Sequence, residues 1–324
     1  MTPTYDIVGI GNAIMDIIAP VQDSFLAEHN IQKGGMTLID EATALSLSEA
    51  LPEAGRVEVA GGSGSNTIAG AAMMGAKAAY IGVVADDAVG TRFTTGMRDA
   101  GVTYNVAPQS GGLATARCMI AVTPDGERSM STFLGASTQF TSSNLDADLV
   151  KNGKIVYLEG YLFDSDYAKA AFVKAAEIAK AAGNKVALTL SDSFCVGRHR
   201  ASFLHLVENH IDILFANEAE LTSLFETDDF EAAIEQVSAF NVLAAVTRSE
   251  KGSVIINREE RVNVAAEPVA KVVDTTGAGD QYAAGFLAAY SQNKPLAECG
   301  RWASLAAAEV ISHYGARPER KIAV

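Results

Sequence analysis

The chain has 324 residues, of which 48% are hydrophobic and 20% charged, and this composition excludes a disordered or fibrous protein. Its length and apolar content predict one large globular domain. The net charge of −14, without a run of Lys and Arg, argues against nucleic acid as a partner, whereas a small anion can still be held by a few local N–H groups.

The chain also lacks the patterns of export or membrane insertion. The first basic side chain is Lys33, and no run of about 18 apolar residues is uninterrupted, so we expect neither a signal peptide nor a membrane span. The cysteines Cys118, Cys195 and Cys299 are odd in number and widely spaced, which is typical of reduced thiols. We therefore expect a cytoplasmic protein without disulfides or a structural metal.

Short apolar runs alternate with helical patterns along most of the chain. DIVGIG from Asp6 and KAAYIGVVA from Lys77 flank a helix candidate from Asn66, and further strand-like runs follow residue 150. Apolar residues recur at helical spacing between Ala168 and Ala182, and Gly183 follows as a stop signal. The rhythm predicts an α/β fold, a doubly wound and mostly parallel sheet flanked by helices.

Two stretches interrupt this rhythm. Around residues 16–40 and 116–137 the sequence alternates like short strands, and Pro124, Asp125 and Gly126 form a turn signal. We interpret them as a small β-sheet lid at the carboxyl ends of the main strands. The chain is then one discontinuous domain over 1–324, with a lid at 14–40 and 106–138 and an α/β core at 1–13, 41–105 and 139–324.

The segment DTTGAGD at 274–280 carries the strongest chemical signal. Its Gly-Ala-Gly turn leads into an apolar helix, so the N–H groups of Gly277, Ala278 and Gly279 can approach an anion at a helix start. Asp280, beside this anion hole, can accept a hydroxyl proton; the alternative is a simple helix-start acid. No GxxxxGK[ST] motif occurs, which excludes a P-loop.

DTTGAGD resembles the DTxGAGD motif of the ribokinase-like, or PfkB, carbohydrate and nucleoside kinases, in which the last Asp is the catalytic base. GGSGSN at 61–66 and GNAIMDI at 11–17 extend the resemblance over nearly the whole chain. By resemblance, Gly62, Asn66 and Asp16 bind sugar hydroxyls. Family members that phosphorylate free ribose typically have Lys at the position of Ser63. The serine in this chain resembles the adenosine kinases instead.

The resemblance also implies a nucleotide side of the site. FANEAEL places Asn217 and Glu220 near the phosphates and Mg²⁺, usually through water, although helix capping explains the pair equally well. The remaining ATP-side candidates are Thr247, Arg248 and Gly252 in VTRSEKG, Arg128 in the lid and His313 near the C-terminus. The alternatives are an exposed hairpin residue for Arg128 and a structural histidine for His313.

Two further groups of residues follow from the resemblance. Asp274 and Thr276 flank the anion hole where several family members hold a monovalent cation, so we expect possible K⁺ binding; turn capping is the alternative. A nucleobase pocket is expected from apolar residues near lid or strand-end positions, any of which can be plain core: Ile14, Met36, Leu38, Cys118, Phe133, Tyr161 and Phe194.

The combined expectation is an ATP- and Mg²⁺-dependent kinase that phosphorylates a ribonucleoside 5′-hydroxyl, most favourably converting adenosine to AMP, with Asp280 as base. A sugar or sugar-acid kinase of the same family, or a broader kinase for inosine, guanosine or cytidine, stays open. A non-catalytic nucleoside binder and a dinucleotide oxidoreductase are weaker alternatives, since DTTGAGD is intact and GIGNAI lacks the third glycine. We expect a monomer or homodimer.

Overall fold

The computed structural model describes residues 3–258 and 260–322, and these residues form two β-sheets with helices packed against both. The strands, numbered in chain order, are Tyr5–Ile10 (β1), Ile14–Pro20 (β2), Met36–Leu38 (β3), Val57–Gly61 (β4), Ala78–Ile81 (β5), Ala116–Val122 (β6), Arg128–Phe133 (β7), Gly153–Glu159 (β8), Lys185–Thr189 (β9), Ile213–Asn217 (β10), Leu243–Thr247 (β11), Ser253–Asn257 (β12) and Glu260–Val264 (β13).

The helices lie mainly between strands of the larger sheet. They are Asp23–Glu28 (α1), Glu41–Ala50 (α2), Ser63–Met73 (α3), Ala88–Asp99 (α4), Ala147–Lys151 (α5), Asp166–Ala181 (α6), Ser193–Asn209 (α7), Glu218–Leu224 (α8), Phe230–Ser238 (α9), Ala278–Tyr290 (α10) and Leu296–Val310 (α11). Short 3₁₀ helices occur at Gly135–Gln139, Ser142–Asn144, Gly160–Asp164 and Ser249–Lys251. In the described ranges no helix is long and apolar enough to cross a membrane.

The larger sheet has the order β13-β12-β11-β10-β9-β8-β1-β5 within the described part of the chain. Strands β5, β1 and β8 to β11 run parallel, and β12 and β13 add an antiparallel edge. The central strands are buried along nearly their whole length, as expected for a sheet covered on both faces. One face packs α6 to α9 and the other α3, α4, α10 and α11. The predicted fold class is confirmed.

The smaller sheet, called the small sheet below, has the order β3-β7-β6-β2-β4. Helices α1 and α2 cover one face, where Leu26 and Leu47 pack with Ile17. This corrects the predicted core boundary: residues 41–61 were assigned to the α/β core, but β4 pairs with β2 and α2 packs on the same sheet. Residues 57–60 alternate as Val-Glu-Val-Ala, but this pattern does not show which sheet the strand joins.

Chain connections place the small sheet above the carboxyl edge of the large one. Residues 11–13 alone separate the end of β1 from β2, so the second sheet starts where the first one ends. Helix α3 also begins here, directly after β4. Carboxyl ends of parallel strands are the usual location of binding sites in such sheets. The candidate motifs near Asp16, Gly62 and Glu220 therefore lie at the same edge.

Helix α6 provides a test of the large sheet's packing. Phe172 is fully buried, and its ring centroid lies 5.4 Å from that of Phe163, whereas Tyr167 on the same helix is 73% exposed. We expect Phe172→Ala to lower the free energy of unfolding by about 3–5 kcal/mol, because it leaves a cavity. Tyr167→Ala should stay within about 0.5 kcal/mol of the parent protein. Urea denaturation measures both; equal losses would contradict the described packing.

Candidate active site

The DTTGAGD segment forms the predicted turn into α10. Gly277 lies just before the helix with φ of 81°, in the left-handed region that favours glycine. The N–H groups of Gly277 and of the first helical turn have no helical carbonyl to bond to, because no helical turn precedes them. Ala278 is an exception that corrects the prediction, since its N–H donates to the Thr275 carbonyl at 3.2 Å and closes the turn. Gly277 and Gly279 are the better anion donors.

Asp280 is positioned by helix α3 as well as by its own helix. The Ser63 hydroxyl donates to its Oδ1 at 2.6 Å, and the Asn66 amide donates to its Oδ2 at 3.3 Å. Burial raises the pKa of Asp280 to about 6, while these two donors and the positive charge of Arg317 lower it. The pKa of the Asp280 carboxyl therefore lies close to neutral pH, as a general base requires.

Asp16 reaches the same region from β2 of the small sheet. Burial raises its pKa to about 7; Arg317 and Arg128 oppose this shift, and Asp280 adds to it. Gly61 pairs near it on β4, and a Cβ there would overlap the Asp16 carboxylate. Gly62 follows with φ of 91° and caps α3. The structure thus brings Asp16, Gly62, Ser63 and Asn66 towards Asp280, as the motifs predict.

Arg128 and Asp274 form an ion pair between the small sheet and the DTTGAGD segment, with both side chains nearly buried. Asp274 also accepts from the N–H groups of Thr276 at 2.9 Å and Gly315 at 3.1 Å. Because both carboxylate oxygens face donors and a guanidinium, this arrangement does not favour a K⁺ ion at Asp274 and Thr276. K⁺ binding stays a prediction, and Arg128 faces an acid here.

Asn217 and Glu220 form a capping box at the end of β10. Asn217 donates to the two Glu220 oxygens at 3.0 Å through its backbone and 2.6 Å through its amide, and the Glu220 N–H donates back at 2.8 Å. Burial raises the pKa of Glu220 to about 7. Both capping and a water-mediated Mg²⁺ contact are compatible with this geometry, since each oxygen retains a lone pair.

The other residues predicted on the ATP side have local partners. Arg248 donates to both Glu218 oxygens, at 3.0 and 3.2 Å, and lies over the Phe230 ring. Gly252 closes the turn after Thr247 with φ of 83°. His313 Nε2 and Glu309 are 3.2 Å apart. Nucleotide contacts for Thr247, Arg248, Gly252 and His313 stay predictions.

Four residues of the predicted nucleobase pocket share the Asp16 face of the small sheet. Strand register places Cys118 and Leu38 in one row with Asp16, and Ile14 and Met36 in neighbouring rows. Ile14 and Cys118 are buried, but Met36 and Leu38 are 50% and 52% exposed. Leu38 borders a cavity of about 240 Å³ at the end of β7. These residues form an apolar surface beside Asp16.

The other three pocket residues lie outside this surface, and a pocket role for Tyr161 and Phe194, which belong to other elements, stays a prediction. Phe133 lies on the opposite face and packs with the core beneath α1 and α2, although it also borders the β7 cavity; the resemblance that suggested Phe133 did not indicate its face. Phe194 is 80% exposed at the start of α7. Tyr161 faces acids: burial and then Asp192 raise the pKa of its phenol, with Asp280 and Glu220 contributing.

A buried network beneath the GGSGSN segment at 61–66 was not predicted from the sequence. Glu159, at the end of β8, accepts from the Asn12 N–H at 2.7 Å, the Asn12 amide at 3.2 Å and the Gly64 N–H. Tyr80 donates to the Asn12 carbonyl at 2.8 Å. These bonds tie β1, β8 and α3 together. Asn12 within GNAIMDI was the available signal, whereas Glu159 ends an ordinary apolar strand.

Arg317 was also missed. It lies after α11 and donates to Asn66 Oδ1 and Ser65 Oγ, both at 3.0 Å. Gln281, the residue after Asp280, donates to the Asn66 carbonyl at 3.1 Å and the Ala316 carbonyl at 2.8 Å. A C-terminal arginine outside any motif gave no signal of its own in one sequence.

Comparison with known proteins agrees with this geometry. Residues 6–322 match the family described as pfkB family carbohydrate kinase. The chain belongs to the PfkB family. The resemblance found in DTTGAGD, GGSGSN and GNAIMDI is thereby confirmed, and membership shows that the protein is a kinase. The family implies ATP as phosphoryl donor, with Mg²⁺ as its typical metal.

Individual relatives align with nearly the full chain. Adenosine kinase of Saccharomyces cerevisiae is 29% identical over 98% of both chains. The structure of adenosine kinase from Sinorhizobium meliloti is 48% identical with a TM-score of 0.90 and covers 98% of this chain and 97% of its own. A probable sugar kinase from Rhizobium etli CFN 42 is 45% identical with a TM-score of 0.91, covering 99% and 97%. These PfkB relatives carry names from both substrate classes.

Gly277 and Gly279 form a matched pair for testing the turn of this PfkB protein. A Cβ on Gly277 would lie 2.7 Å from the Ala316 backbone, whereas one on Gly279 meets nothing within 4 Å. We expect Gly277→Ala to lower the free energy of unfolding by about 1–3 kcal/mol through strain and overlap. Gly279→Ala should change it by less than about 0.5 kcal/mol. Urea denaturation compares the two; equal stabilities would contradict the turn geometry.

Proposed function

We propose that the protein phosphorylates the 5′-hydroxyl of a ribonucleoside with ATP, and that adenosine, converted to AMP, is its preferred acceptor. The observation that carries the proposal is the placement of Asp280. Asp280 lies in the first turn of α10 beside Gly277, and its carboxylate accepts hydrogen bonds from Ser63 and Asn66. Asp16 reaches the same region from the small sheet. A base, an anion hole and hydroxyl ligands thus converge at one edge.

The acceptor sugar is assigned to Asp16, Gly62 and Asn66. An ionised carboxylate can accept from two vicinal hydroxyls at once, as ribose presents them. The Asn66 amide donates towards Asp280, so its NH₂ group faces the position of a reacting hydroxyl. In this arrangement, the 5′-oxygen lies between Asp280 and the anion hole.

The small sheet favours a nucleoside over a free sugar. Met36 and Leu38 expose about half of their side chains on the Asp16 face, and a purine base would cover such an apolar surface. A free sugar presents hydroxyls and gains little from that contact. The names of the yeast and Sinorhizobium meliloti relatives support the same choice, while the Rhizobium etli name keeps a sugar as the second candidate.

In the proposed reaction Asp280 accepts the hydroxyl proton, and the oxygen attacks the γ-phosphorus in line. The N–H groups of Gly277 and Gly279 and the start of α10 stabilise charge on the transferred group. The small sheet serves as a lid that keeps water out. Arg128 can meet the phosphates only when it leaves Asp274.

The residues at the β10 end suit Mg²⁺ in its usual nucleotide-bound form. Magnesium keeps several waters and takes one or two carboxylates plus phosphate oxygens, which fits Glu220 and Asn217 rather than a closed protein cage. When bound, Mg²⁺ neutralises phosphate charge. Glu220 and Asn217 would orient its waters.

An acceptor panel tests the substrate assignment. Adenosine, inosine, guanosine, cytidine, ribose and fructose are each supplied with MgATP, and product formation is measured by chromatography. We expect the highest kcat/KM for adenosine, at least about tenfold above ribose, because the apolar surface contributes only with a base present. A higher kcat/KM for a free sugar would overturn the nucleoside assignment and leave the kinase intact.

Asp280→Asn tests the mechanism. We expect turnover to fall by about 10²–10⁴-fold or more, because the amide cannot accept the proton. Nucleoside affinity, measured by calorimetry, should change little, since the amide keeps similar size and hydrogen bonds. Asp274→Asn is a useful comparison in the same loop and should retain more activity. Near-parent turnover in Asp280→Asn would contradict the base role.

A further inference from the structure

Arg317 lies near the C-terminus of the chain but contacts the GGSGSN segment at 61–66, near the other end. Its Nε donates to Asn66 Oδ1 and its Nη2 to Ser65 Oγ, and Met97 Sδ lies 3.4 Å from Nη2. Asn66 and Arg317 are 251 residues apart in sequence. The contact therefore joins the start of α3 to the segment after α11.

The chemistry of these groups permits one orientation of the Asn66 amide. A guanidinium has only donors, so the amide atom facing Arg317 must be the oxygen. An ionised carboxylate has only acceptors, so the atom facing Asp280 must be the NH₂ group. A flipped amide would place NH₂ against the guanidinium and oxygen against the carboxylate. Arg317 and Asp280 thus fix Asn66 from opposite sides.

Arg317 also provides positive charge where carboxyl groups collect. Burial lowers the pKa of Arg317 to about 10, while Asp16 and Asp280 hold it up, so the guanidinium is charged at neutral pH. The same charge acts on both acids, favouring their ionised forms. Arg128 acts on Asp16 as well, but its own ion pair is with Asp274.

The segment that carries Arg317 is anchored to the two elements it affects. Gln281 bonds to the carbonyls of Ala316 and Asn66, and Ala316 packs against Gly277 in the anion turn. Since Gln281 follows Asp280 directly on α10, the base, the amide and the guanidinium are held by one set of contacts. A residue that only stabilised the C-terminus would not need to bond to Asn66 and Ser65 at the start of α3.

We propose that Arg317 is a positioning residue for phosphoryl transfer: it fixes Asn66 with its NH₂ group towards Asp280 and the acceptor hydroxyl, and it places a positive charge on the far side of the amide that bonds to the Asp280 carboxylate. This inference rests on the kinase function proposed above. It adds a residue outside the three sequence motifs.

The pH profile separates this role from simple packing. Asp16 must be ionised to accept from sugar hydroxyls and Asp280 must be ionised to accept a proton, so kcat/KM falls as the pH drops through their pKa values of about 7 and about 6. Removing the Arg317 charge raises both pKa values and moves the acid limb to higher pH. The other groups whose charge acts with Asp280 are the same in all the variants compared; they are Tyr157, Glu159, Tyr161 and Glu220.

The experiment compares Arg317→Met, Arg317→Lys and the exposed control Arg320→Met in the full chain. We expect Arg317→Met to lower kcat/KM on the order of 10- to 100-fold and to move the acid limb up by about one pH unit. Arg317→Lys keeps the charge but not the planar fork, so its limb should stay near the parent position while kcat/KM falls about tenfold. Arg320→Met should match the parent protein.

A double-mutant cycle with Asn66→Ala tests whether Arg317 acts through Asn66. The double variant Asn66→Ala, Arg317→Met should lose at least about fivefold less than the product of the single losses, because the amide to be oriented is gone. Multiplicative losses with an unmoved acid limb would overturn the inference and reduce Arg317 to packing. If Arg317→Met does not fold, the same cycle with Arg317→Lys decides. A parent protein that phosphorylates no acceptor would instead refute the proposed function.

Discussion

In the proposed mechanism, Asp280 is a buried carboxyl group that must still carry charge. Burial raises its pKa, and the opposing influences come from two hydrogen-bond donors, Ser63 and Asn66 at the start of α3, and from the charge of Arg317 after α11. An unpaired buried charge is unfavourable by several kcal/mol, so Asp280 depends on these partners. Apolar packing of α3 against α10 is what brings Ser63 and Asn66 to the carboxylate.

The second constraint is the meeting of two sheets at one edge. After β1 of the large sheet, three residues lead into β2, which carries Asp16 in the small sheet. Later in the chain, β4 of the small sheet leads into α3. Glycine at position 61 gives the Asp16 carboxylate its space. The buried Glu159 network then fixes Asn12 and Gly64 below. The residues that we propose as hydroxyl ligands and base are thus positioned by the same few residues that connect the sheets.

The parts of the site that the sequence predicted are local. Glycines beside acids at a helix start indicated Asp280 and Gly277 without any tertiary information, and hydrophobic periodicity predicted α6 and the parallel sheet. Pairings over long separations were inaccessible: Arg128 with Asp274 spans 146 residues, and Arg317 with Asn66 spans 251. Phe133 failed for a different reason, because the resemblance that suggested it did not indicate which face of the strand it occupies, and neighbouring residues of a strand point to opposite faces. Residues 57–60 alternate like a strand, but alternation does not show which of two sheets a strand joins.

The buried acids around the site also explain why ATP, a polyanion, requires cations to bind beside them. Burial raises the pKa values of Asp16, Glu159 and Glu220 to about 7 and that of Asp280 to about 6. Each added phosphate charge would raise these values further and turn the base into an acid. In the proposed mechanism, Mg²⁺ and an Arg128 released from Asp274 would cancel phosphate charge on the ATP side. Arg317 is hydrogen-bonded to Asn66 and Ser65, so its charge would remain on the acceptor side with Asp280.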